Sequence, residues 1–455
     1  MIQPQRIKSL NAKETRKGRY VLYWMQQSQR AEYNHALEYA VREADESGLP
    51  VVVALGITQR FPEANLRHYA FMLEGLRESQ RTLGRRGIQL VIRLQPPREA
   101  ALDLAKDASL IVADRGYLRF QSQWRAHVSR NAPCKVVQVE SDVVVPVELA
   151  SEKQEYAART IRKKIHNHLD SFLKPLREST PKRDSLGMKF DRLKMDSVDS
   201  VLDRLRIDRT VGRVSSFGGG TSNAKRLLSE FIAGKLARYV DERNEPAADC
   251  VSHMSPYLHF GQISPLHVAL QVTNASGVKR SNKDAYLEEL VVRRELSMNY
   301  CLYNPCYDSY EGLPDWAKNT LKAHRRDKRE YLYTVKELEL ARTHDPYWNA
   351  AQKEMVLFGK MHNYMRMYWG KKILEWAATP EEAFRNAIYL NNKYELDGRD
   401  PNSFTGVAWC FGRHDRPWTK RPVLGTVRYM SSAGLERKFD MEAYVRKVED
   451  MERSQ

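Results

Sequence analysis

The chain has 455 residues, 42% of them hydrophobic and 29% charged, with a formal charge of +17. That length exceeds one small core, so two domains, or one large domain with a satellite, are expected. No apolar run reaches the roughly 18 residues of a membrane span, the polar start MIQPQRIKSLNAKETRKGR lacks a secretory apolar stretch, and five scattered cysteines fit a reducing, cytoplasmic setting.

The first 150 residues alternate in character. β-rich runs at YVLYWM, LPVVVALGI, IQLVIRL, SLIVADRG and CKVVQVESDVVVP are separated by helical patterns at AEYNHALEYAVREADES, LRHYAFMLEGLRESQRTLG, PREAALDLAKD and RFQSQWRAHVSR. This order predicts a doubly wound α/β domain on a parallel, five-stranded sheet, residues 1–150. No GxGxxG follows the first strand, so ordinary dinucleotide binding is not indicated. Residues 151–216 read as a helical, basic linker that becomes polar and proline-containing. Phe217-Gly218-Gly219-Gly220-Thr221-Ser222 reads as a hinge into an all-helical domain, 217–455.

Chemistry concentrates in that second half. Ser252 and Ser255 lie near a helix start, where hydroxyls cap helices or hold phosphate. In LEELVVRREL, Glu289 and Arg293 share a helical face while Arg294 and Glu295 turn elsewhere. The stretch KMHNYMRMYWGKKILEW places Met365, Trp369, Ile373 and Trp376 on one stripe, the two indoles about 10 Å apart along the axis. Core packing and redox activity both fit that spacing. Asp397-Gly398-Arg399-Asp400-Pro401 is a turn by composition. Trp409 and Trp418, among Arg413, Arg416, Lys420, Arg421 and Arg428, suit stacking on unpaired bases while gripping phosphates. The positive charge points to a polyanion, nucleic acid or an anionic membrane surface. No nucleophile motif and no metal-ligand set stands out, so a cofactor is expected to carry the reaction.

Together the motifs resemble the class II cyclobutane pyrimidine dimer photolyases of the photolyase/cryptochrome family. The likeness runs in order through YVLYWMQQSQRAEYNHALEYA, EKQEYAARTIR, SPYLHFGQIS, LEELVVRREL, THDPYWNA, KMHNYMRMYWGKKILEW, NNKYELDGRDP and RYMSSAGLERKFD. It implies an N-terminal α/β domain and a helical domain holding FAD, active in its reduced anionic form. Under blue or near-UV light, an electron passes to a flipped-out pyrimidine dimer and returns after the ring splits. An antenna pigment, 8-hydroxy-5-deazaflavin or a folate, is an option the resemblance leaves unassigned. The implied partner is damaged DNA, duplex or single-stranded, with no membrane. The implied protein is a monomer in the cytoplasm, at the nucleoid in a prokaryote or in the nucleus of a eukaryote.

Carried over by position, Tyr239, Val251, Ser252, His253, Met254, Ser255 and Arg294 would cradle the flavin. Asn391 would face its N5, and Arg366 with Asp397 would form an ion pair beside it. Glu289, Met367 and Trp409 would act on the dimer, with Arg243, Asn244 and Arg293 around it. Trp418 and Arg428 would fill the gap left in the duplex. Trp369, Trp348 and Trp376 would relay electrons, in that order from the flavin outward. Two positions depart from pattern: Arg293 stands where many photolyases outside this class carry tryptophan, and Asn363 replaces an expected glycine. The competing readings are a cryptochrome-like photoreceptor and a dark flavin oxidoreductase. Glu289, Met367 and Trp409 favour repair over the former, and the missing nicotinamide fingerprint disfavours the latter.

Overall fold

A computed structural model describes residues 2–59 and 61–454. The five expected strands are β2 (Tyr20–Trp24), β3 (Val51–Gly56), β4 (Gln89–Arg93), β5 (Ala108–Asp114) and β6 (Lys135–Val139). They run parallel and are joined by four expected helices, α1 (His35–Ser47), α2 (Leu66–Arg85), α3 (Pro97–Ala105) and α4 (Arg119–Asn131). Their near-continuous burial follows from helices covering both faces of a parallel sheet. One strand was not anticipated. β1 (Ile7–Ser9) pairs antiparallel with β6, giving the order β1-β6-β5-β2-β3-β4. Three residues are too short to show alternation.

Strand order reverses at β2, which sits between β3 and β5. Beyond its end, Asp114 of β5 accepts backbone N–H groups from Gln26 (2.6 Å) and Gln27 (2.9 Å) and fixes the following loop. Here the structure opens a cleft lined by Gln27, Phe61, Tyr69, Phe120 and Trp124. This is the place where open α/β sheets bind ligands.

Residues 151–216 contain one long helix, Ala158–Phe172, and a short one, Val198–Leu202. Leu176, Leu193, Met195 and Leu205 are buried in the same cluster as Val21, Val53 and Leu90, so this stretch straps the sheet. The glycines after it make a tight junction rather than a loose hinge. Gly219 N donates to Glu74 Oε2 and Gly220 N to Gln262 Oε1, both at 2.6 Å. A Cβ at Gly219 would lie 2.1 Å from the Phe71 carbonyl oxygen, an approach open only to glycine.

From Thr221 onward all regular elements among the described residues are helices, and none is long and apolar enough to cross a membrane. The halves interlock through buried polar groups. Arg294 donates to Asp142, Val144 N donates to Glu295, and Arg67 reaches the carbonyls of Tyr394 and Val356. All five cysteines are free, four of them buried.

Candidate active site

The helical half encloses a cavity of about 450 Å³, within the range of cofactor and ligand pockets. One wall is the segment Val251–Ser255. His253 adopts a left-handed φ of 54°, strain of the kind held at functional sites. Its Nε2 bonds Asp249 Oδ1 at 2.7 Å, and its ring packs on Phe217 and Phe358. Tyr286 donates its hydroxyl to Ser252 Oγ at 3.0 Å and meets Tyr239 edge-on. Met254 and Tyr239 are buried along the same wall.

The opposite wall rests on Glu288–Arg293, a π-helical turn. Such turns are frequent at functional sites, and within this one Glu289 and Arg293, four residues apart, meet at 3.3 Å. Arg243 Nη1 donates to Glu289 Oε1 at 2.9 Å, so one carboxylate is clamped by two guanidiniums. Glu288 is occupied by Arg162. The Arg293 guanidinium lies 5.3 Å from the Trp409 ring centroid, a cation over an aromatic face. Asn244 and Met367 complete this wall, and Met367 Sδ is 3.9 Å from Cys410 Sγ.

At the base, Arg366 of the helix Asn363–Trp376 holds two carboxylates. Its Nη2 is 3.0 Å from Glu395 Oε1 and 3.5 Å from Asp397 Oδ1. Burial acts to raise Asp397, and the Arg366 charge overrides it, leaving Asp397 below the usual carboxylate range. Burial also raises Glu395, which Arg366 does not fully offset and Asp397 worsens, so Glu395 is pushed up to about 8. Reading the sequence missed Glu395. Its place two residues before Asp397 was the available signal.

Other nominated residues lie apart from this group. Arg294 lines the cavity but spends two donors on Asp142. Asn391 stands one layer back, donating to Ser403 Oγ at 2.6 Å, and Ser403 lines the cavity. Trp418 is outside it and 40% exposed, with the guanidiniums of Arg416 and Arg428 5.3 and 5.0 Å from its ring. Arg428 reaches the cavity mouth.

The three tryptophans expected to relay electrons are buried and in ring contact. Trp348, from the helix Pro346–Phe358, stacks on Trp369 at 6.4 Å and 6° and meets Trp376 at 5.7 Å and 64°. Trp348 Nε1 donates to the Trp369 carbonyl, and Trp369 Nε1 to Gln352. Trp348 thus contacts both of the other rings.

The family model described as DNA photolyase matches residues 21–182. A deoxyribodipyrimidine photo-lyase of Methanothermobacter thermautotrophicus is 50% identical over 449 residues, 98% of this chain and 99% of that one. Among solved structures, a class III photolyase from Agrobacterium tumefaciens superposes with a TM-score of 0.72 at 18% identity, covering 96% of this chain and 87% of its own. A Synechocystis cryptochrome gives 0.73 at 16%, covering 94% and 88%. The fold is therefore common to both kinds of protein.

Proposed function

The chain belongs to the DNA photolyase family, and from that premise we propose that it is a deoxyribodipyrimidine photo-lyase, splitting pyrimidine dimers in DNA under light. One observation carries the reading: a single cavity joins unpartnered polar groups suited to a flavin with a clamped carboxylate and an aromatic wall suited to a dimer.

The residues present fit FAD. His253 Nδ1, Ser255 Oγ and Arg366 Nε are buried at this site without hydrogen-bond partners, and such groups are costly unless a ligand meets them. Val251–Ser255, Tyr239, Arg294, Arg366 and Asp397 would hold the cofactor, with Asn391 acting through Ser403. When bound, FAD supplies a light-driven electron that is lent to the dimer and recovered.

The chain's own groups do the rest. Glu289, fixed by Arg243 and Arg293, presents carboxylate oxygens to the N–H groups of a flipped base and favours added charge on its carbonyls through the flanking arginines. Trp409 and Met367 offer faces for the dimer to pack on, and Asn244 adds an amide at the same wall. Arg428 lines the cavity and Trp418 lies outside it against the Arg428 guanidinium; the pair would grip a phosphate and fill the gap in the stack. Trp369, Trp348 and Trp376 form the path by which an oxidised flavin is reduced. We read the domains as 1–150, 151–216 and 217–455. The cleft at the strand-order reversal, walled by Phe61, Tyr69, Phe120 and Trp124, suits a flat antenna pigment, 8-hydroxy-5-deazaflavin or a folate.

The test is to illuminate flavin-loaded, photoreduced protein with an oligonucleotide carrying one thymine dimer. Dimer should disappear under blue light and persist in the dark. Persistence in both, with FAD bound, would leave the photoreceptor reading in its place.

A further inference from the structure

The ring column does not end at Trp376. That indole is 2% exposed, so a solute cannot approach it. Its ring meets Tyr333 at 5.4 Å and His344 at 5.1 Å, both edge-on. His344 in turn stacks on Tyr331 at 3.6 Å and 16°, and the Tyr333 hydroxyl bonds His344 Nδ1 at 2.7 Å. Tyr331 and His344 are exposed. Aromatic contact thus runs unbroken from Trp369 to solvent.

The surface at that exit is unusual for this molecule. Of eight large apolar side chains exposed among the described residues, four fall within ten positions: Tyr331, Leu332, Val335 and Leu340. Such a concentration marks an interaction surface. The neighbouring charges sort unevenly. Asp327 is taken by His324 and the Val423 N–H, Glu337 caps Thr334, and Glu339 is held by Lys393 and Tyr394. Arg326, Lys328 and Arg342 are exposed and have no ion-pair partner among the described residues, against two such acids in the stretch, Glu330 and Glu337, the latter bonded to Thr334.

We propose that this patch is the docking site of a small, acidic, one-electron carrier protein that refills the tryptophan path. The inference rests on the electron-relay reading above. Exposed leucines with an excess of free cations in the same stretch suit a protein surface of opposite charge, whereas a small reductant needs neither. Electrons balance. For each photon one electron leaves Trp369 for the flavin, the vacancy moves through Trp348 and Trp376 to the Tyr333–His344–Tyr331 group, and the carrier loses one electron to fill it. Any proton passed from the Tyr333 hydroxyl to His344 Nδ1 returns with that electron.

The experiment follows loss of the oxidised-flavin absorption in FAD-loaded protein under blue light, with dark rates subtracted. The reductant is either a reduced acidic [2Fe–2S] ferredoxin or dithiothreitol. With ferredoxin the rate should saturate and weaken with salt, and the triple variant Arg326→Glu, Lys328→Glu, Arg342→Glu should raise the half-saturating concentration about tenfold. Its rate with dithiothreitol should be unchanged. A ferredoxin rate that is linear or salt-independent, or a variant slowed equally with both reductants, overturns the docking site. Trp369→Phe separates the two claims: photoreduction should stop with both reductants, and if it continues the relay itself fails.

Discussion

At the scale of single residues, the Arg366 trio is the most demanding feature. Two carboxylates share one guanidinium in a fully buried place, and removing water from three charges is expensive unless one is neutralised. Glu395 carries that proton near neutrality, its carboxyl pushed from 4.5 up to about 8. A carboxyl raised on folding contributes stability that is complete below pH 4.5 and is lost as pH rises through about 8. The flavin-free protein should therefore lose a few kcal/mol across that window. Glu395→Gln keeps the shape and removes the titration, so its thermal midpoint should fall less steeply with pH. Glu295, also raised to about 8, leaves part of the slope in place. An unchanged slope in Glu395→Gln would contradict the assignment. The sequence made Arg366 and Asp397 readable because a family motif carries them. It could not reveal Glu395's proton or the Arg294–Asp142 bond, because partners distant in the chain set those environments.

Among the elements, the helix Asn363–Trp376 was readable from its period, and the stripe Met365, Trp369, Ile373, Trp376 is buried as that period requires. Trp348 was beyond any helical argument, since it arrives from a separate helix. Rings in contact pack the core and would also serve the proposed relay. Trp369→Phe should cost about 1–2 kcal/mol of stability and leave repair by pre-reduced protein intact. Photoreduction of oxidised FAD should be lost, as followed by absorption under continuous light. Residues Glu288–Arg293 carried no sign of a π-turn, since the shared face of Glu289 and Arg293 is equally a property of an α-helix. The edge strand β1 was equally silent, at three residues.

For the whole molecule, the +17 charge was the first pointer to nucleic acid, and alternation followed by continuous helix foretold the two-part fold. What remained hidden was how closely the parts interlock. The glycine junction reads as flexible from composition, yet its backbone is bonded to Glu74 and Gln262. Binding to DNA should weaken with salt as counterions are released. Arg428→Ala should lower the affinity and reduce the logarithmic salt slope by about 1, measured by fluorescence anisotropy at several salt concentrations. An unaltered slope would remove Arg428 from the phosphate contacts.

The clamped Glu289 is proposed to act on the dimer after it has entered the cavity. Dimers split per absorbed photon and the dissociation constant for dimer-containing DNA can be measured on the same pre-reduced Glu289→Ala protein. Splitting should fall about tenfold while binding changes by less than about threefold, the pattern of a group whose interaction strengthens during reaction. Equal losses in the two quantities would contradict it.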